Sequence, residues 1–253
     1  MNLSPLAISL IALAVIILGA SLGAFLSHAL PRHHLSDDSK DIVRLGAALL
    51  ATISALVISL LISSAKTTYD AQSNRVRQLT ANIILLDNTL ERYGSEAKEA
   101  RKYLRQTVNA LVGQTWEQRV TARSAPFVAT EAAETTFQKI AELSPKNDTQ
   151  TFLKTRAMQL FLDTAQARLL LFVEGKNAIP FPFLVILVFW LTIIFTSFSL
   201  FSRLNPINAA ALLVFAFSAA GGIFLILELS QPFAGLMEIS STPLLNSLVP
   251  IDP

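Results

Sequence analysis

Four long apolar stretches constrain this chain more than any other feature of its sequence. They cover residues 6–26, 45–65, 179–201 and 207–227, and none of them contains a charged residue. A helix rises 1.5 Å per residue, so about 20 residues cross a hydrocarbon core that is roughly 30 Å thick. The composition agrees, because 52% of the residues are hydrophobic and only 15% are charged. The sequence therefore predicts an all-α membrane protein with four transmembrane helices.

The order of these stretches predicts the domain organisation. A first transmembrane hairpin occupies residues 1–66, a helical extramembrane domain 67–178, a second hairpin 179–229 and a C-terminal tail 230–253. An even number of spans places both chain ends and the middle domain on one side of the membrane. The first stretch has no basic n-region and exceeds a typical signal-peptide h-region, so we expect a retained helix. Lys and Arg flank the spans on both sides, and the positive-inside count does not decide the orientation.

The middle domain has a helical pattern. Apolar residues recur at steps of three and four through Val76, Leu79, Ile83, Leu86 and Leu90, which indicates one buried helix face. No Gly or Pro lies between Gly46 and Gly94, so the second span is expected to continue into the middle domain as one helix. Further helices are predicted to end near Val112, to cover 130–143 and to end at Gly175. The buried face of the last helix is predicted to contain Phe152, Phe161, Ala165, Leu169 and Phe172.

A stripe of small and polar residues follows one face of the second span. Positions three or four apart share a helix face, and this face carries Thr52, Ala55, Ser59, Ser63, Lys66 and Asp70. Large apolar residues such as Leu50, Val57 and Leu61 occupy the opposite face. Small residues and serines allow transmembrane helices to pack closely. Alternatively, several copies of the helix surround an axis, where lysine rings favour anions and aspartate rings oppose them.

Two short segments resemble the bestrophin family of chloride channels, and the whole chain resembles bacterial bestrophin-like membrane proteins. SAKTTYDAQSNRVRQL (64–79) contains a Thr-Tyr-Asp step at residues 68–70 and an Arg-rich continuation. ELSQPFAGL (228–236) contains Glu228, Pro232 and Phe233, and Pro243-Leu244 follows. These segments depart from the family pattern at four places. Gln72 and Ser73 replace a tryptophan pair, Ser230 replaces an acid, Ala234 separates Phe233 from Gly235, and the second Pro is displaced by about two residues.

The resemblance implies a homopentamer in the bacterial inner membrane, with the second span of each subunit lining a central pore for small anions such as chloride. It places the middle domain and both chain ends in the cytoplasm, and it gives Tyr69, Glu228, Pro232, Phe233 and Pro243 a structural role. In the family this pore helix carries a neck of large apolar residues, and the matching positions here are Ala55, Ser59 and Ser63. The acidic run with which eukaryotic members bind calcium is absent, so no calcium gating and no cofactor are expected.

Other functions remain open on the sequence. A membrane-anchored helical sensor or scaffold is the main alternative. An enzyme is less favoured, because only HHLSDD (33–38) gathers candidate metal ligands, and a solvated loop that caps the next helix explains it better. The chain has no cysteine, and its net charge of +2 gives no reason to expect nucleic acid. The Gly221-Gly222 pair suits close helix packing.

Overall fold

The chain is described by a computed structural model that covers residues 4–29, 37–117, 131–174, 181–201 and 205–247. All regular elements within these ranges are helical, which confirms the all-α prediction. The helices are α1 (Pro5–Ala29), α2 (Asp37–Tyr93), α3 (Lys98–Val112), α4 (Glu131–Ala141), α5 (Asp148–Glu174), α6 (Phe181–Phe201), α7 (Pro206–Leu229) and α8 (Thr242–Asn246). A 3₁₀ turn at Ser95–Ala97 precedes α3, and a π-helical turn at Gly113–Glu117 follows it.

Four helices are long and apolar enough to cross a membrane. They are α1, the greater part of α2, α6 and α7, and they contain the described residues of the four apolar stretches, since residues 179 and 180 lie outside the described ranges. The four predicted membrane-length helices are therefore present. Their arrangement as two hairpins stays a prediction.

The chain divides into two compact units. Unit 1 contains the described parts of Met1–Thr68 and Ala178–Gln231, and unit 2 contains those of Tyr69–Asn177 and Pro232–Pro253. The boundary between Thr68 and Tyr69 lies inside α2, which contributes residues to both units. The segment that follows α7 groups with the helices of the middle domain from Pro232 onwards.

In unit 1, α1 approaches α6 closely at two glycines. A Cβ atom at Gly19 would lie 2.5 Å from Thr192 Cγ2, and one at Gly23 would collide with the Thr196 carbonyl. Only glycine fits where two helix backbones come this near, and the four-residue spacing is that of a GxxxG packing motif. Ile16, Leu187 and Ile223 are fully buried among these helices.

The Gly221-Gly222 pair does not make the expected close approach within the chain. A Cβ at Gly221 would meet no heavy atom within 4 Å, and one at Gly222 would contact only Ile58 Cγ2 at 3.8 Å. Helix packing in unit 1 therefore uses the glycines of α1 instead. Among the described residues, Gly221 therefore faces open space, whereas Gly222 lies at an ordinary contact distance from Ile58.

In unit 2, the predicted face of α2 is confirmed. Val76, Leu79, Ile83, Leu86 and Leu90 are all buried in one apolar cluster. The unbroken helix that the sequence predicts is also present, since α2 runs without interruption to Tyr93. Gly94 then adopts φ of 122°, a conformation that ends a helix and that residues with a side chain rarely adopt.

The predicted buried face of α5 is mostly wrong, although Phe161 is partly buried and packs against the apolar cluster of unit 2. Phe152 is 68% exposed and Leu169 is 43% exposed, while the buried positions of this helix are Ala157, Leu160, Ala167 and Leu171. Apolar residues lie on more than one face of α5, so periodicity alone does not fix which face turns inward. The prediction followed the large aromatic side chains, whereas two of the buried positions are alanines.

Two polar contacts inside unit 2 join neighbouring helices. Arg101 of α3 donates from Nε and Nη2 to both carboxylate oxygens of Asp87 on α2, at 2.8 and 2.9 Å. The hydrogen bonds and charge of Asp87 raise the pKa of the Arg101 guanidinium. The hydroxyls of Thr107 and Thr136 lie 3.0 Å apart and connect α3 to α4. A bidentate pair of this kind fixes the register of α3 against α2.

Candidate functional site

The predicted stripe lies on the side of α2 that the described residues leave exposed. Thr52, Ala55, Ser59, Ser63 and Lys66 in unit 1, and Asp70 in unit 2, are all exposed. The other side of the helix holds it in unit 1, where Ser54, Leu61 and Ala65 are buried. The stripe therefore faces water, lipid or another molecule, and its assignment to a pore stays a prediction.

The hydroxyls along the stripe differ in their hydrogen bonding. Thr52 donates to the carbonyl of Ala48 at 3.0 Å, which satisfies its proton within the helix. The Ser59 and Ser63 hydroxyls make no hydrogen bond to any part of the chain that the structure describes. A hydroxyl without a partner is unfavourable in hydrocarbon by about 1–3 kcal/mol or more. These two serines therefore favour water or a polar partner over lipid.

A cleft adjoins one edge of the stripe within unit 1. It has a volume of about 610 Å³, and its walls come from α2, α6 and α7. Ala55 and Ser59 border it, together with Ser54, Phe198 and Ser218. Ser54 is buried, and its hydroxyl has no hydrogen-bond partner among the described residues. A helix of a neighbouring molecule could occupy this cleft, which is the packing alternative for the stripe.

Two opposite charges end the stripe. Lys66 and Asp70 lie one helical turn apart, and each interacts with another group. A ring of Lys66 and a ring of Asp70 in an oligomer would oppose each other, because their charges sum to zero in every subunit.

The residues of the two resembling segments lie mostly inside the protein. Tyr69 packs against the apolar cluster of unit 2. Glu228 is only 3% exposed at the end of α7, and its carbonyl accepts a hydrogen bond from the Gln231 N–H at 3.0 Å. Pro232 is buried and Phe233 partly buried in unit 2, whereas Pro243 is exposed in the first turn of α8. Four of the five residues are therefore buried or partly buried, and their structural role stays a prediction.

Trp116 is a structural anchor that the sequence did not reveal. Its indole Nε1 donates to the Ile239 carbonyl at 2.7 Å, and its ring packs edge-to-face on Phe233 with the centroids 5.2 Å apart. The Ile239 N–H in turn donates to the Pro232 carbonyl at 2.7 Å and closes the loop. Trp116 lies on the π-helical turn after α3. The sequence indicated only that a tryptophan lies in a polar segment, which does not predict the residues that it contacts.

Of the candidate metal ligands in HHLSDD, His33 and His34 lie outside the described residues, and Asp37 and Asp38 are the first residues of α2. No group of three or more His, Asp or Glu residues gathers elsewhere in the described ranges to hold a metal ion.

These features define an integral membrane protein with four membrane-length helices and a separate helical unit. A family model of the Bestrophin-like domain matches residues 14–244, and the chain belongs to this family. A search of curated proteins found no match to the sequence.

Solved structures of a bacterial bestrophin homologue from Klebsiella pneumoniae share the fold. Two single-substitution variants each give a TM-score of 0.64. The first is 15% identical, and the match covers 92% of this chain and 96% of the variant. The second is 16% identical, and the match covers 94% of this chain and 95% of the variant. A third variant gives 0.63 at 16% identity, with 92% and 96% covered. The similarity extends over nearly the whole of both chains.

Proposed function

We propose that the protein is a bestrophin-like ion channel that conducts small anions, with α2 of each subunit lining a central pore. One observation carries the proposal. The membrane-length part of α2 exposes a small, polar stripe flanked by exposed leucines such as Leu56 and Leu60, and the Ser59 and Ser63 hydroxyls on this stripe make no hydrogen bond to the described residues. Membership of the Bestrophin-like family supports a pore along this helix. We further propose a homopentamer in the bacterial inner membrane, with both chain ends and unit 2 in the cytoplasm.

The chemistry of the stripe would set the gate. The family carries large apolar residues at the positions of Ala55, Ser59 and Ser63, and a ring of such residues gates by excluding water. Rings of small residues with hydroxyls leave a wider constriction that stays wet. A serine hydroxyl donates to a passing anion and replaces part of its hydration shell. The proposed pore therefore lacks a dewetting gate at this level, and the hydroxyls assist permeation.

The 610 Å³ cleft beside Ala55 and Ser59 supports a second candidate. A neighbouring helix that filled the cleft would cover part of the stripe and make the protein a membrane-anchored scaffold or sensor without conduction. This candidate predicts a folded oligomer that carries no current, so one measurement separates the two functions.

The test is single-channel recording from purified protein in planar bilayers. We expect discrete openings, and we expect Ser59→Leu or Ser63→Phe to lower the conductance at least about tenfold, because either change narrows and dries the lumen. Leu61→Ala is the matched control, since Leu61 is buried on the opposite face. It should leave the conductance unchanged and lower the free energy of unfolding by about 2–5 kcal/mol. A folded, oligomeric protein without current would refute the channel.

A further inference from the structure

The uncovered face of α2 continues beyond the stripe, within unit 2. From Asp70 onwards, exposed residues recur at alternating steps of four and three. They are Asp70, Asn74, Arg77, Ala81, Ile84 and Asn88. The buried residues of the same helix, from Val76 to Leu90, alternate with them in the same rhythm on the opposite face. A constant spacing over five turns means that these positions share one face with Asp70.

Arg77 is the fixed positive charge on this face, and its charge is not neutralised. It forms no hydrogen bond or ion pair with any residue that the structure describes, whereas Asp70 and Arg75 both interact with other groups. Its nearest neighbours along the face, Asn74 and Ala81, carry no charge. Asp70 lies about 10 Å away along the helix, at 1.5 Å per residue, which is near the distance at which salt screens exposed charges.

We infer that Arg77 selects for anions in the proposed channel, as a ring of guanidinium groups with one member from each subunit. The inference rests on the proposed function, because it requires α2 to face a shared axis. A guanidinium stays charged at every physiological pH and is weakly hydrated. A ring of them raises the local concentration of anions and repels cations. Lys66 does not serve this purpose, because Asp70 one turn away offsets its charge.

The experiment measures the chloride-to-potassium permeability ratio from reversal potentials in a KCl gradient. We expect Arg77→Glu to lower this ratio at least about threefold and Arg77→Lys to preserve most of it, because the ring charge decides selectivity. Lys102→Gln is the control. Lys102 is an exposed cation of the same unit, with a side chain 62% accessible on α3, and its removal should leave the ratio unchanged. Arg77→Gln, expected to give an intermediate ratio, guards against misfolding of the charge-reversed variant.

Each outcome bears on the inference. A conducting Arg77→Glu variant with an unchanged ratio would overturn the selectivity assignment and leave the channel intact. A shift with Lys66→Glu but not with Arg77→Glu would overturn it as well, and would place selection at the membrane edge. If the unaltered protein carries no current, the proposed function fails and this inference fails with it.

Discussion

The tail and the stripe of α2 differ in what surrounds their side chains. In the tail from Pro232 to Ser247, residues such as Pro232 and Leu244 are buried by their own unit. On the stripe, Ala55, Ser59 and Ser63 are exposed among the described residues. Packing inside the unit therefore determines the environment of the tail residues, whereas the environment of the stripe residues depends on what lies against the exposed face.

The largest effect on stability is expected in the tail, from Leu244→Ala. Leu244 is fully buried, whereas the adjacent Leu245 is 43% exposed. Truncating the buried leucine removes apolar contacts and leaves a cavity, so we expect a loss of about 2–5 kcal/mol in the free energy of unfolding. Leu245→Ala should change it by less than about 1 kcal/mol. Unfolding in detergent, followed by far-UV circular dichroism, measures both. Equal losses for the two variants would contradict the packing of α8.

A smaller effect is expected from Trp116→Phe. The change keeps an aromatic ring against Phe233 and deletes the donor to the Ile239 carbonyl. Losing this hydrogen bond and leaving a carbonyl with one partner fewer should destabilise the protein by about 1–2 kcal/mol. Hydrogen exchange should rise locally in residues 232–239. Trp190→Phe is the control, because Trp190 makes no hydrogen bond to the described residues. Unchanged exchange in the loop would refute the anchor.

Periodicity and the absence of breakers predicted the long elements well. The four apolar stretches, the unbroken α2 and its buried face from Val76 to Leu90 all follow from spacing within one segment. Gly94 marked the end of α2 because only its backbone tolerates the positive φ found there. Each of these features is local, so the sequence of a single segment is enough to predict it.

Contacts between distant segments were not predictable in the same way. The phase of α5 depends on which helices cover it, and its apolar residues lie on more than one face. The contact between Trp116 and Ile239 joins positions 123 residues apart, and the local sequence around either residue does not indicate the other. The close helix contact is made by Gly19 and Gly23 and not by Gly221 and Gly222, so the presence of glycine alone does not identify where two helices pack closely. For the stripe, the sequence predicted which residues share one helix face. The structure exposes these residues, and the molecule that contacts them in an assembly lies outside the single chain.

The smallest effects are expected from removing single serine hydroxyls of α2. Ser63→Ala should change the free energy of unfolding by less than about 0.5 kcal/mol, because this exposed hydroxyl makes no hydrogen bond to the described residues. Ser54→Ala should be neutral or stabilising by up to about 1 kcal/mol, since the buried Ser54 hydroxyl has no partner among the described residues and its removal relieves a desolvation penalty. Unfolding of the two variants in detergent, followed by far-UV circular dichroism, measures both changes in free energy. A loss above about 2 kcal/mol at Ser63 would mean that a partner bonds this hydroxyl in the assembled protein. That result would place the stripe in a packed interface, so that the stripe residues would be held by neighbouring groups as the tail residues are.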